Sequence, residues 1–270
     1  SILETDPSIN HCPGMSDKTA PVVLITGAAR RIGRALALGL GRDGWTVVVH
    51  YNASSDDADD VVRAITTDGG RAVAVQADLS NEAEAETLVS RAVDAAGPLT
   101  CLINNASLFE EDNVHSADKA SWDAHMQINL RAPFILTQAF AAQRPDGVPG
   151  NVINIIDQRV WNLTPHFVSY TVSKSGLWTL TQTLAMALAP DVRVNAVGPG
   201  PTLPSSRQSQ QDFDEQCASL PLGHAVNVDE IVDAVRYILG ASSMTAQMIA
   251  LDGGQHLVSA PSLVDTGAEE

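Results

Sequence analysis

Thr26-Gly27-Ala28-Ala29-Arg30-Arg31-Ile32-Gly33 joins an apolar run, Val22–Thr26, to an amphipathic one, Gly33–Arg42. A strand that ends in a glycine turn and feeds directly into a helix has the form of a phosphate-binding turn in a dinucleotide fold. Gly27 permits the tight turn. Gly33 lets helix and strand approach closely, and the helix N-terminus offers N–H groups to a pyrophosphate. Two glycines alone also make an ordinary strand–helix turn. The strand before and the helix after favour the dinucleotide reading, with Gly27, Arg30, Arg31, Ile32 and Gly33 at the cofactor.

Outward from this turn the chain alternates β-rich and helical runs. Strands are expected at Val22–Thr26, Thr46–Tyr51, Ala72–Gln76, Leu99–Asn104, Asn151–Ile156, Val192–Val197 and Met248–Leu251. Helices are expected at Gly33–Arg42, Asp57–Thr66, Glu82–Ala95, Ser169–Ala189 and Asp229–Leu239, with one long helix over Trp122–Gln143 that carries Pro133. Nearly all-apolar strands separated by helices imply a parallel sheet covered on both faces. The right-handed crossover rule then gives an α/β, Rossmann-like doubly wound parallel sheet in a single domain, over residues 20–258. Pro199–Ala218 is rich in Pro, Ser and Gln and lacks periodicity, so an irregular substrate loop or lid is expected there. Residues 1–19, of which Ser1–Gly14 is polar and irregular, and residues 259–270 are expected to be tails.

The formal net charge of −16 argues against nucleic acid or an anionic membrane as partner. No run of about 18 apolar residues would span a bilayer, and no signal-like segment opens the chain. Cys12, Cys101 and Cys217 have neither metal-ligand spacing nor a disulfide framework. The expectation is a cytoplasmic protein without a metal that acts on a small molecule. Cys101 begins an apolar run and is expected in the core.

Which dinucleotide binds is decided at the end of the second strand, His50-Tyr51-Asn52-Ala53-Ser54-Ser55. NAD-specific sites carry an acidic residue there for the ribose 2′-OH. Here the first carboxylate is Asp56. Asn and Ser side chains can donate to a 2′-phosphate, and Arg30 adds a cation. NADPH is therefore expected, with Tyr51, Asn52, Ala53 and Ser54 at its adenosine end. His50 is expected to satisfy a backbone group.

Tyr170-Thr171-Val172-Ser173-Lys174 sets a phenol and an ammonium on one helix face. A phenol ionises at about pH 10, and a nearby ammonium lowers that value. Tyr170 is thus expected to act as general acid, with Lys174 tuning it and gripping the nicotinamide ribose. The same spacing occurs by chance on many helices. Its slot after a strand, well downstream of a dinucleotide turn, makes chance the weaker explanation.

With these motifs in hand, Val22 to Leu257 resembles the short-chain dehydrogenase/reductase family. Asn104-Asn105-Ala106-Ser107 resembles the family's Asn-Asn-Ala-Gly segment, and Ala77-Asp78-Leu79 its adenine-contacting turn. Asn129 matches its helix asparagine, Pro199-Gly200 the segment at the nicotinamide carboxamide, and Asp252-Gly253-Gly254 its C-terminal turn. The resemblance implies cofactor contacts from Asp78, Leu79, Asn105, Ala106, Ser107, Pro199 and Gly200. It implies a catalytic set of Asn129, Tyr170 and Lys174, and a homotetramer whose interface includes Trp122–Gln143 and Ser169–Ala189.

The departures are informative. Arg31 stands where the family has a glycine, and its guanidinium is expected to face the phosphates or the substrate. Asp157 stands where the family has its catalytic serine, and Ser107 replaces the last glycine of Asn-Asn-Ala-Gly. The combination resembles the pteridine reductase branch, including bacterial dihydropterin reductases of the dihydromonapterin type. That resemblance implies substrate contacts from Arg31, Ser107, Phe109, Asp157 and Tyr170. Phe109 would stack on the pterin, Tyr170 would protonate a ring nitrogen, Asp157 would serve the opposite edge, and Asn129 would support Lys174 through water. The loop Gln158–Phe167, holding Trp161 and His166, does not match the branch. Trp161 is expected either to close over substrate or to pack, and His166 to lie at the surface.

The leading expectation is an NADPH-dependent reductase of a dihydropterin C=N bond. One alternative is an NADP(H)-dependent reductase of another carbonyl or imine. Another is a catalytically silent NADP(H)-binding regulatory protein.

Overall fold

The structure is a computed structural model, described here for residues 20–205 and 208–258. The expected tails, with Cys12, and residues 206–207 of the expected loop lie outside the described residues. The strands are β1 (Val22–Ile25), β2 (Thr46–Tyr51), β3 (Arg71–Gln76), β4 (Cys101–Asn104), β5 (Gly150–Ile155), β6 (Val192–Pro199) and β7 (Met248–Leu251). Between and after them run α1 (Arg31–Arg42), α2 (Ser55–Thr67), α3 (Glu82–Ala96), α4 (Lys119–Met126), α5 (Ala132–Gln143), α6 (Val168–Leu188), α7 (Gln210–Ala218) and α8 (Val228–Gly240).

All strands pair in parallel, in the order β3-β2-β1-β4-β5-β6-β7. Alternate strand residues feed opposite cores. Val23, Ile25, Val47 and Val49 pack with α1, α2 and α8, whereas Leu24, Val48 and Leu102 pack with α3 and α5. The strand order reverses between β1 and β4. In an open α/β sheet the crevice beyond the strand ends at that switch point is where ligands bind. No helix among the described residues is long and apolar enough to cross a membrane.

Two expectations need correction. The long helix over Trp122–Gln143 is divided into α4, a π-helical turn at Gln127–Arg131, and α5. Pro133, in the first turn of α5, has no N–H to donate, and the wide turn before it accommodates the break in the helical ladder. The expected irregular stretch Pro199–Ala218 contains α7. Its signal is local and not periodic: Ser209 and Asp212 form a reciprocal capping box, and Phe213 and Cys217 bury one face four residues apart.

Candidate active site

The glycine turn is built from both sides of the switch point. Gly27, at φ 63°, donates its N–H to His50 Nδ1 at 3.0 Å, and the other ring nitrogen, Nε2, lies 3.0 Å from the Ala77 carbonyl. An N–H donor on Nδ1 leaves the ring proton on Nε2, so His50 is neutral and bridges β1, β2 and the end of β3. Burial drives its pKa down to about 4, against the opposing pull of the Ala77 hydrogen bond. A Cβ on Gly33 would stand 2.2 Å from the Gly27 carbonyl, so no side chain fits there. Asn105 Nδ2 donates to the Thr26 carbonyl at 2.8 Å, and Thr26 Oγ1 accepts the N–H groups of Asn105 and Ala106, both at 2.9 Å.

Arg31 reaches from the glycine turn toward the loop after β6. Its backbone is left-handed at φ 53°, and its guanidinium donates to the Pro204 and Leu203 carbonyls at 2.7 and 3.0 Å. It thus spans from the glycine turn to the loop after β6, where two main-chain carbonyls match its fork of donors. Arg30 pairs with Asp57, in the first turn of α2, at 2.5 Å. Tyr51 ends β2, and Asn52, Ala53 and Ser54 lead into α2, with Ser54 at its N-cap. Asp78 and Leu79 follow β3, where Asp78 Oδ1 accepts from Ser80 and Leu79 is buried.

A cavity of about 650 Å³ extends from this turn to α6. Gly27, Arg30, Arg31, Ile32, Gly33, Asn105, Ala106, Ser107, Phe109, Asp157, Tyr170, Lys174, Pro199 and Gly200 all line it. Tyr51 to Ser54, Asp78, Leu79 and Asn129 do not. Gly200 is held by its N–H on the Leu251 carbonyl at 2.8 Å, so close to the Asp252 backbone that a Cβ would meet Asp252 Cα at 2.7 Å.

The Tyr170 hydroxyl donates to Asp157 Oδ2 at 2.8 Å, and Arg159 N–H donates to Asp157 Oδ1 at 2.8 Å. Lys174 Nζ donates to the Ile155 carbonyl at 2.9 Å and stands 5.7 Å from the Tyr170 ring centroid. The phenol's electrostatics therefore differ from expectation. Burial, then the charge and hydrogen bond of Asp157, push the Tyr170 pKa well above its ordinary value. Lys174 aims its ammonium at a main-chain carbonyl and does not bring the phenol down. Burial lowers Lys174 itself to about 8, with Asp157 acting in the opposite sense.

The loop after β4 is fastened to the helices by three buried side chains. Asn129, in the π-helical turn, accepts the Leu108 N–H at 2.7 Å and donates to the Leu108 carbonyl and to Ser173 Oγ. Its amide is thus committed to this loop and to α6, and it makes no direct contact with Lys174. Ser107 Oγ lies 3.3 Å from Asn129 Oδ1. His125 Nε2 accepts the Glu110 N–H at 3.2 Å, while Nδ1 lies 2.8 Å from the Ser121 carbonyl. Asp112 accepts the Ser169 N–H at 3.0 Å, capping α6 from outside the helix one residue before Tyr170. Burial works to raise the Asp112 pKa, but the hydrogen bonds from Ser169 and Ser121 prevail and hold it low.

Phe109 stacks on Phe167, with centroids 4.5 Å apart and planes at 4°, and meets the Tyr170 ring edge-on at 4.7 Å. The Arg159 guanidinium covers Phe167 at 5.0 Å. Phe167, Arg159, His125 and Asp112 escaped the sequence reading because none belongs to a spaced motif. Phe167, an aromatic one residue before a helix, was the most visible of them. Trp161 lies outside the cavity lining and packs edge-on against Trp178 and His256. His166, partly buried, is also outside the lining.

The family profile described as short chain dehydrogenase matches residues 21–215, and the chain belongs to that family of oxidoreductases. Among solved structures it is similar to FolM alternative dihydrofolate reductase 1 from Brucella canis, complexed with NADP. That protein is 48% identical, covers 91% of this chain and 97% of its own, and superposes with a TM-score of 0.87. The Brucella suis protein of the same name, also with NADP, is 49% identical over 90% of this chain and 97% of its own, at a TM-score of 0.87. Among curated relatives is a 3-oxoacyl-[acyl-carrier-protein] reductase from Synechocystis sp., 32% identical over 89% of this chain and 98% of its own.

Proposed function

We propose that this chain is an NADPH-dependent reductase of a dihydropterin, reducing a ring C=N bond. The observation that carries the reading is the hydrogen bond from Tyr170, whose ring meets Phe109 edge-on, to Asp157, where the wider family has a serine. The Brucella relatives, named as alternative dihydrofolate reductases, support it.

The residues present fit the dinucleotide. α1 starts at a glycine cradle with no side-chain cap on its first N–H groups, and Arg30, Arg31 and Lys174 give the cavity cationic character. Gly27, Ile32, Gly33 and Asn105 to Ser107 would flank the pyrophosphate and nicotinamide, Asp78 and Leu79 the adenine, and Pro199 and Gly200 the carboxamide. A 2′-phosphate would compete with Asp57 for Arg30, beside Tyr51 to Ser54.

Bound NADPH supplies the hydride. Phe109 offers the flat substrate an aromatic edge and face. Tyr170, kept protonated by burial and by Asp157, hands its proton to the nitrogen of the C=N bond as the neighbouring carbon gains the hydride. The phenolate left behind is offset by the Arg159 cation. Asp157 fixes the phenol's orientation and accepts from the substrate's far edge. Asn129 holds the Phe109 loop. The same reading takes the protein to be a cytoplasmic homotetramer.

The test is to follow consumption of reduced nicotinamide with 7,8-dihydropterins, quinonoid dihydropterins, dihydrofolate and simple ketones, using NADPH and then NADH. Dihydropterin turnover with NADPH is expected. Turnover of ketones alone would replace this reading with the second one, a carbonyl reductase, which the 3-oxoacyl reductase relative favours.

A further inference from the structure

Between the two residues that grip the phenol and the aromatic stack lies a carboxamide that the mechanism above does not use. Gln158 opens the short turn Gln158–Val160 and lines the cavity. It is 3% exposed, and its Oε1 is buried without a hydrogen-bond partner. The groups on either side are engaged: Asp157 accepts from Tyr170 and Arg159, and Arg159 donates to Thr164 Oγ1. The other buried side-chain atoms without partners among the described residues belong to Arg91, Asn104, Asn151, Ser169 and Thr171, none of which lines the cavity. The buried Oε1 loses its hydrogen bond to water, and the fold gives that oxygen no partner in exchange. A ligand that brings the missing donor would remove that penalty.

A carboxamide presents one acceptor and one donor side by side. Its planar complement is an edge with an N–H next to a carbonyl oxygen, as in a cyclic amide. We propose that Gln158 is a specificity residue that pairs with the lactam edge of the substrate, the ring N–H and carbonyl of an oxopteridine. This inference rests on the pteridine reading and deepens it. A simple ketone has a carbonyl without the adjacent N–H and satisfies only half of the amide.

Two substitutions test it. Gln158→Met keeps the length of the side chain and removes both polar atoms, and Gln158→Glu keeps the shape but replaces the donor with an acceptor. Both are expected to raise the KM for a dihydropterin on the order of tenfold, with the NADPH Kd within twofold of wild type. Gln158→Met is expected to melt no lower than wild type, because it removes an unsatisfied polar atom. A lower Tm with a matching loss of NADPH affinity would overturn the assignment and make Gln158 structural. Tighter pterin binding by Gln158→Glu would also overturn it, pointing to an edge with two donors. Wild-type pterin turnover with an unaltered KM in Gln158→Met defeats this inference alone. A wild type that reduces ketones and no pterin defeats the pteridine reading and this inference with it.

Discussion

A phenol that faces a carboxylate works differently from one that faces an ammonium. Tyr170 donates to Asp157, so its proton is held at neutral pH, as the proposed protonation of a substrate nitrogen requires. Asp157→Ser is expected to lower dihydropterin kcat/KM on the order of 100-fold with NADPH affinity unchanged; equal turnover would remove Asp157 from the reaction. Phe109→Ala is expected to raise the pterin KM several-fold, to about tenfold at most, through lost stacking. Steady-state kinetics against both substrates check this, and an unchanged KM removes Phe109 from the site. Arg30→Ala is expected to lower the preference for NADPH over NADH roughly tenfold, measured as the ratio of the two kcat/KM values. That these residues gather around one cavity was legible in the sequence, because Tyr170, Lys174 and Asp157 fall at telling intervals. The directions of their side chains were not. Spacing cannot tell that Lys174 is taken by the Ile155 carbonyl or Arg31 by Leu203 and Pro204, since those carbonyls come from elements elsewhere in the chain.

Between elements, the decisive joints are buried polar side chains. His50 ties the glycine turn to the ends of β2 and β3 as a neutral imidazole. Its folded pKa of about 4 lies below the ordinary value of 6.5, so between those values the unfolded chain binds the extra proton. Stability therefore rises with pH across that window and is lost as pH falls from 6.5 toward 4, by about 3 kcal/mol in total. Thermal melts at steps of pH test this, and His50→Asn is expected to flatten the slope. Asp112→Ala removes the cap on α6, which is expected to cost about 1 kcal/mol and to loosen Tyr170, visible as a drop in both Tm and kcat. Strands and most helices were legible because apolar runs and amphipathic stripes mark them. α7 was not, since its short capping box and two buried residues leave no stripe to follow, and neither was the π-helical turn, which only Pro133 hinted at.

At the scale of the molecule, an exposed groove between the π-helical turn, α5 and α6, lined by Met126, Leu130, Phe134 and Leu180, lies on the two helical stretches where the tetramer proposal puts a subunit contact. Sedimentation is expected to give four times the 28.5 kDa chain mass, with Leu180→Arg shifting the population to smaller species; a monomeric wild type would end the tetramer reading. The switch point between β1 and β4 has a temporal side as well. Thr26 Oγ1 is locked by the N–H groups of residues 79 and 80 positions further on, and β1 gains its second neighbour only with β4. On a ribosome adding about 5–20 residues per second, the nascent chain carries an unfinished glycine turn and an open β1 edge for roughly 4–16 seconds. The cofactor half of this enzyme is thus translated first and completed late, and a chain stalled between β3 and β4 emerges with that edge bare to its neighbours.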